Sequence, residues 1–441
     1  MKKINLLILA ITVLAPLSLL AATKAPTPVK TNPMAKVVTI EKNTKDGPLK
    51  IIKRKNGNLV ALFKTVDNTV YLQQSKNNGK TWQKIQTKIK AGNDATQTID
   101  DLIENKNGEL IILGRQMSYA PDTKPEDAIK IYTLKSKDGI TWTNLSYPKL
   151  NLTGLYSFPE DSLSNLKLSQ STNGKLYVMT MVINKMENSF TAAEKANRKT
   201  VLYANVSKDL INWTTSTIKE YPFIAGAGFS DNNLELIEAA NTFYLKDSLA
   251  VYQADSIDLN STGGIRILSS ANGITWTVLP QVPEFKDAFL YPAKIINYQN
   301  KLALVMIGNT DFCDTTSKAK YFIGLRTLTK NKWDNVKVLD EVKPFSISQL
   351  SYHFIDLGNG QLGWLLPQTP DLTKPTNVDL QFITADYKNN ISLAQYKKDV
   401  DACNQQIQQQ LPEFKKQAED LMNQLKDKLN NLNWSATSTN Y

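Results

Sequence analysis

Histidine, cysteine and arginine are scarce in this 441-residue chain, at one, two and five residues. One histidine, His353, leaves nothing for a zinc-ligand cluster, and a hydrolytic triad would need it at a site mouth beside partners that the sequence does not place there. Two cysteines exclude a cysteine-stapled miniprotein. The arginines stand alone at 54, 115, 198, 266 and 326, and the remaining basic residues are lysines spread along the chain. Nucleic-acid recognition favours clustered guanidinium forks, so nucleic acid is not an expected partner. There is no P-loop, dinucleotide fingerprint, Gly-x-Ser-x-Gly elbow or EF-hand loop, so neither a cofactor nor a metal is implied.

What is present is a globular composition, 41% hydrophobic with 7 Trp, 17 Tyr and 14 Phe, enough to bury a large core. Lys2 and Lys3 precede an apolar run from Ile4 to Ala22. That pattern is a secretory signal peptide over 1–22, and Pro16 inside the run argues against a retained anchor. Residues 23–35, with Pro26, Pro28 and Pro33, form a linker. The expected mature protein is secreted or periplasmic, basic and without a membrane span. Cys313 and Cys403, an even pair in an exported chain, are expected to form a disulfide, with two buried thiols as the alternative.

Self-similarity organises the rest. Ser75-Lys-Asn-Asn-Gly-Lys-Thr-Trp82 recurs as Ser136-Lys-Asp-Gly-Ile-Thr-Trp142, Ser207-Lys-Asp-Leu-Ile-Asn-Trp213 and Ser269-Ser-Ala-Asn-Gly-Ile-Thr-Trp276, with a degenerate copy ending at Trp333. In the first four, Asn or Asp, with Gly in all but the third, makes a tight turn, the Ser or Asp side chain satisfies backbone amides, and Trp fills the gap beside it. No base and nucleophile are paired, so the unit reads as a structural staple. Ahead of each unit a period-2 strand reaches a turn and a more apolar strand follows. The turns fall at Asn56-Gly57, Asn107-Gly108, Asn173-Gly174, Lys246-Asp247, Gln299-Asn300 and Gly358-Asn359-Gly360. Six turns imply six four-stranded blades. Lys36 to Ile40 has the length and branching to close the ring as the missing outer strand of the sixth.

The Trp-bearing segments resemble the Asp-box, or BNR repeat, S-x-[DN]-x-G-x-[ST]-W, of sialidase-like propellers; the first and fourth copies keep its full spacing and the second and third are one residue short. The resemblance implies an all-β, six-bladed β-propeller over 36–392. From Leu393 the apolar residues recur at threes and fours through Leu432, predicting a C-terminal α-helical tail over 393–434, with Pro412 starting a second helix and 435–441 frayed. The tail would pack on the propeller or serve as a partner or dimer contact.

In a propeller the starts of the inner strands and the loops joining strands 2 and 3 share one face, the funnel face. Acidic residues recur there: Asp100 and Asp101, Glu160 and Asp161, Asp231, and Asp287. Asp101, Glu160 and Asp161 are the catalytic candidates, because clustered carboxyls can divide acid and base roles. Asp100, Arg115, Tyr119, Asp231 and Asp287 are the ligand-binding candidates; the competing reading is that loop-end acids cap turns. Sialidases hold a substrate carboxylate with three converging arginines, one in an Arg-Ile-Pro segment of the first blade. Here that blade reads Asp46-Gly-Pro-Leu-Lys-Ile-Ile-Lys-Arg54, and at most Arg115 and Arg198 face the funnel. The expected function is binding of a glycan or protein ligand on the funnel face without sialidase activity. The alternatives are a glycoside hydrolase using the inner-strand acids and a scaffold recruiting a partner through the tail.

Overall fold

The computed structural model describes residues 35–44, 47–65, 70–87, 97–117, 129–148, 162–185, 199–222, 234–248, 265–282, 290–309, 321–342, 353–368 and 378–386, with scattered positions elsewhere. These residues form six antiparallel sheets. Blade 1 runs β2 (Gly47–Lys53), β3 (Leu59–Lys64), β4 (Val70–Ser75), β5 (Gln83–Gln86), and blade 2 runs β6 (Gln97–Glu104), β7 (Leu110–Met117), β8 (Ile129–Ser136), β9 (Thr143–Ser146). Blade 3 comprises β10 (Ser162–Gln170), β11 (Tyr177–Lys185), β12 (Lys199–Ser207) and β13 (Trp213–Pro222); blade 4 comprises β14 (Leu234–Ala239), β15 (Thr242–Asp247), β16 (Arg266–Ser270) and β17 (Thr277–Val278). Blade 5 holds β18 (Leu290–Tyr298), β19 (Lys301–Asn309), β20 (Tyr321–Thr329), β21 (Lys332–Trp333) and β22 (Lys337–Val342), the last two both paired with β20.

The sixth blade takes β23 (His353–Gly358), β24 (Gln361–Gln368) and β25 (Val378–Asp386) from the end of the repeat and β1 (Ala35–Thr44) from its beginning. β1 pairs with β25 through Val37↔Ile383 and Thr39↔Gln381, as its length and branching predict. The inner strands touch in sequence around the ring, β2 to β6, β10, β14, β18, β23 and back to β2. The molecule is therefore a closed six-bladed β-propeller. Glu41 of β1 fastens the seam to blade 1, accepting from Tyr71 Oη at 2.8 Å and pairing with Lys84 Nζ at 3.0 Å.

Every blade is apolar on both faces because each is sandwiched between two others, and the core divides accordingly. Six hydrophobic clusters among the described residues each span one blade-to-blade contact. The repeated tryptophans sit in these contacts. Trp82, Trp142, Trp213, Trp276 and Trp333 each join the cluster shared with the preceding blade.

The first four tryptophans share one local architecture. The leading serine hydroxyl accepts the amide of Gly79, Gly139, Leu210 or Gly273 at 2.8–2.9 Å. The Asn or Asp two residues after it accepts further amides, such as Thr141 on Asp138 and Asn212 on Asp209. The indole Nε1 donates back to the carbonyl of the glycine-position residue, at 3.1 Å for Trp82 and 3.0 Å for Trp142, Trp213 and Trp276. Glycine is required twice over at Gly79: its φ is +83°, and a Cβ would lie 2.0 Å from the Phe382 ring of blade 6. Blade 3 places Leu210 there at φ 68° and buries its side chain between blades instead.

Three expectations need correction. The fourth unit uses Ser270, not Ser269, as its serine, so its spacing is the short one of the second and third copies. Trp333 is not a fifth copy of the turn: its Nε1 donates to Pro280 O of blade 4 at 3.0 Å, and it is buried. In blade 4 the turn between strands 1 and 2 lies at Ala240-Asn241, both with positive φ, while Lys246 and Asp247 end β15. An Ala-Asn turn without glycine gave no sequence signal there.

In the tail Lys398, Gln405, Gln409, Pro412, Glu413 and Lys416 are helical and exposed. The apolar stripe, Cys313, Cys403 and the boundaries at 393 and 434 lie outside the described residues, as do the signal segment and the linker. Among the described residues no helix is long and apolar enough to cross a membrane.

Candidate functional site

At the centre of the ring is a cavity of about 700 Å³ lined by all six inner strands. Ladder registers put one inner-strand residue of each blade at the same level: Lys50 opposite Leu62, Asp101 opposite Leu113, Lys167 opposite Thr180, Glu235 opposite Lys246, Lys294 opposite Val305 and His353 opposite Leu365. In blades 1, 2, 3 and 5 the register slips immediately before this residue, and in blades 1 and 5 a proline, Pro48 or Pro292, stands at the slip. A bulge re-aims the next side chain, and a proline costs no ladder hydrogen bond at such a point.

The charges at this level are tied from blade to blade. Asp101, 1% exposed, pairs with Lys50 Nζ of blade 1 at 2.8 Å and accepts the Leu168 amide of blade 3 at 2.8 Å as well as the Leu102 amide. Glu235 pairs with Lys294 Nζ of blade 5 at 2.6 Å and with Lys246 Nζ at 3.5 Å, and accepts the Ile295 amide at 2.7 Å. Burial alone would raise the Glu235 carboxyl, but Lys246, Lys294 and the amide outweigh it and hold the group below the ordinary carboxylate value. Burial brings Lys246 down to about 8 against the pull of Glu235.

His353 Nε2 lies 3.1 Å from Pro48 O of blade 1. A carbonyl only accepts, so Nε2 carries the hydrogen and Nδ1 is the lone-pair nitrogen. Enclosure by protein and the positive charges of Lys294, Lys50 and Lys167 hold the imidazole neutral, with its pKa pulled down to about 3. His353 is thus a hydrogen-bonded wall residue of the cavity.

The sequence candidates separate into two groups. Asp101 is engaged by Lys50 and by two backbone amides and is 1% exposed. Asp100 and Arg115 form a two-point pair inside blade 2, Nε to Oδ2 at 3.0 Å and Nη2 to Oδ1 at 2.7 Å, and Arg115 Nη1 also binds Leu163 O of blade 3. Arg115 thereby fastens blade 2 to blade 3, and Asp100 also lines the central cavity. Glu160, Asp161, Tyr119, Asp231 and Asp287 lie outside the described residues, as does Arg198. Among the other arginines, Arg54 pairs with Glu104 at the turn end, and Arg266 pairs with Asp247 at 2.5 Å and meets Tyr221 Oη. The lysines and glutamate of the ring were not singled out from sequence; stacking the six inner strands by their turns would have shown one ionisable residue per blade at this level. Among the described residues no group of three or more His, Cys, Asp or Glu side chains is placed to hold a metal ion.

No protein-family model and no curated protein matches the sequence. Solved structures with a similar chain trace include the Hadza microbial sialidase Hz136, at 14% identity and a TM-score of 0.47, covering 78% of this chain and 66% of that one. An α-L-arabinofuranosidase from Fusarium graminearum, bound to an iminosugar inhibitor, aligns at 12% identity and 0.47, over 81% of this chain and 99% of that one. The NanB sialidase from Streptococcus pneumoniae aligns at 11% identity and 0.46, over 84% and 74%.

Proposed function

We propose that this protein is an exported binding propeller of Asp-box type that recognises a glycan or protein ligand on its funnel face and does not act as a sialidase. The observation that carries the preference for binding over hydrolysis is the state of the described inner-strand carboxylates. A glycosidase needs one carboxyl kept protonated and free to reach the leaving group. Asp100, Asp101 and Glu235 instead each face a lysine or arginine at 2.6–2.8 Å. Export rests on the Lys2-Lys3 and 4–22 leader pattern. The loops joining strands 2 and 3, with Tyr119 among them, and the approaches to the inner strands, with Asp231 and Asp287, supply the ligand contacts.

The test is a glycan array with a parallel hydrolysis screen on the mature protein. Saturable binding without product release supports the reading. Turnover lost in Glu160→Gln or Asp161→Asn, with both variants folded, would replace it with the glycoside hydrolase reading.

A further inference from the structure

Around the ring the six level residues run Lys50, Asp101, Lys167, Glu235, Lys294, His353; five of them line the cavity, and in blade 2 Ile99 and Asp100 form the wall with Asp101 buried beside them. The sign alternates from blade to blade until the sixth position. An acid there would complete the pattern; a neutral imidazole occupies it, between Lys294 on one side and Lys50 on the other. We infer that the throat is an anion site, in which a small oxyanion or carboxylate lies against His353 between Lys50 and Lys294, with Lys167 facing it from blade 3.

The chemistry fits at each contact. Lys50 and Lys294 each pair with one acid, Asp101 or Glu235, and both lysines also line the cavity beside His353, so their ammonium charge acts on it. His353 spends Nε2–H on Pro48 O, which leaves Nδ1 as the ring atom that would face a ligand. Without an anion the neighbouring ammonium groups oppose protonation of Nδ1; an anion between them reverses the field, and the protonated Nδ1 then donates to it. Ligand and proton bind cooperatively.

The groups that set this field are Lys50 and Lys53 on β2, Asp100 and Asp101 on β6, Lys167 on β10, Glu235 on β14, Lys294 on β18 and Asp356 on β23 itself; the partner strand β24 has no ionisable residue. The cavity, at about 700 Å³, is larger than one inorganic oxyanion needs and admits a sugar acid. The shared ligand chemistry is the oxyanion group, carried either by a free inorganic ion or by the carboxylate of a small organic acid.

His353 is the only histidine in the chain, so one imidazole signal in the NMR spectrum of the untagged full-length protein reports on this site. Sulfate, phosphate and glucuronate would be titrated separately, with sodium chloride at matched ionic strength as the control for screening. The expected result is a saturable shift of the His353 signal with at least one of the three and none with chloride. Its protonation midpoint should rise from about 3 toward the ordinary 6.5 at saturation. Saturation by sulfate or phosphate identifies a free-ion site; saturation by glucuronate alone identifies an organic acid. Lys167→Gln should weaken the apparent affinity by about tenfold while the melting temperature confirms folding. A His353 signal indifferent to all three anions overturns the proposal, as does an affinity unchanged in Lys167→Gln.

Discussion

The Trp-bearing turns and the charged throat both spend many polar groups, in opposite ways. At a turn, every hydrogen bond closes within four residues, as from Gly79 to Ser75 and from Trp82 to Gly79, and the Asn or Asp stands at the exposed edge. In the throat the carboxylates are buried and reach across to other blades, as with Asp101, which joins Lys50 of blade 1 to Leu168 of blade 3. A local network forms with its own strand pair and can be copied into the next repeat. A ring network exists only when the blades have met, and its members must complement one another rather than repeat. Stability per group is consequently uneven. Water replaces much of a lost turn contact, whereas an orphaned charge in the throat has no replacement.

Glu235→Ala should give the largest effect, because it removes the buried carboxylate that Lys246 and Lys294 share. Loss of one partner of a buried ionic cluster costs about 3–5 kcal/mol, read as a lower denaturant midpoint. Adding Lys246→Met should restore part of that loss; an unchanged midpoint in the single variant would mean that the throat is as forgiving as the turns.

Trp142→Ala comes next. Its indole is half-buried and holds one hydrogen bond to Gly139 O, so the expected loss is about 2–3 kcal/mol, below the range for a fully buried aromatic. Ligand binding by the folded fraction should be unaltered. Selective loss of binding with an unchanged midpoint would move the functional face to the turns.

The two regions should also respond to acid differently. His353 has a folded pKa of about 3 against the ordinary 6.5, so the unfolded chain takes up the proton first. Its contribution is full above about pH 6.5 and is lost as the pH falls toward 3. Stability measured across that window should decline in the wild type and flatten in His353→Gln, and equal slopes would refute the neutral assignment.

At the turns, the amides of Thr141 and Ile140 lower the Asp138 pKa and those of Asn212 and Ile211 lower that of Asp209. Their contribution is present above the ordinary carboxylate pKa and is lost below it. Asp209→Asn should be the mildest change, since Asn77 and Asn272 already serve at this position. It should leave the midpoint at pH 7 unmoved and reduce only the loss below pH 4.

This division explains what could be read from the sequence. The turns are written in contiguous residues, so the Trp-bearing units disclosed the repeat, and the six turns between first and second strands disclosed the blade count and, with Lys36 to Ile40 left over, the seam. The throat is written at one residue per blade, a signal that appears only when the inner strands are stacked by their turns, and the misplaced turn of blade 4 put that stacking out of register. Asp100 and Asp101 consequently looked alike as acids at a strand entrance. Only the register, which turns one toward Arg115 and the other toward Lys50 and Leu168, separates them.

The seam between β1 and β25 has a consequence for how the molecule comes into being. Val37 finds its partner in Ile383, most of the chain away, so no partly synthesised polypeptide can complete the ring. Until the last strand arrives, blade 1 has no neighbour on one side, and Phe382 is missing from the site against which Gly79 and Trp82 come to rest. Such long-range pairing is slow to form because loop closure precedes its reward. The last event of folding is thus also the one that locks the first, and opening of this seam is the expected first step by which the ring comes apart.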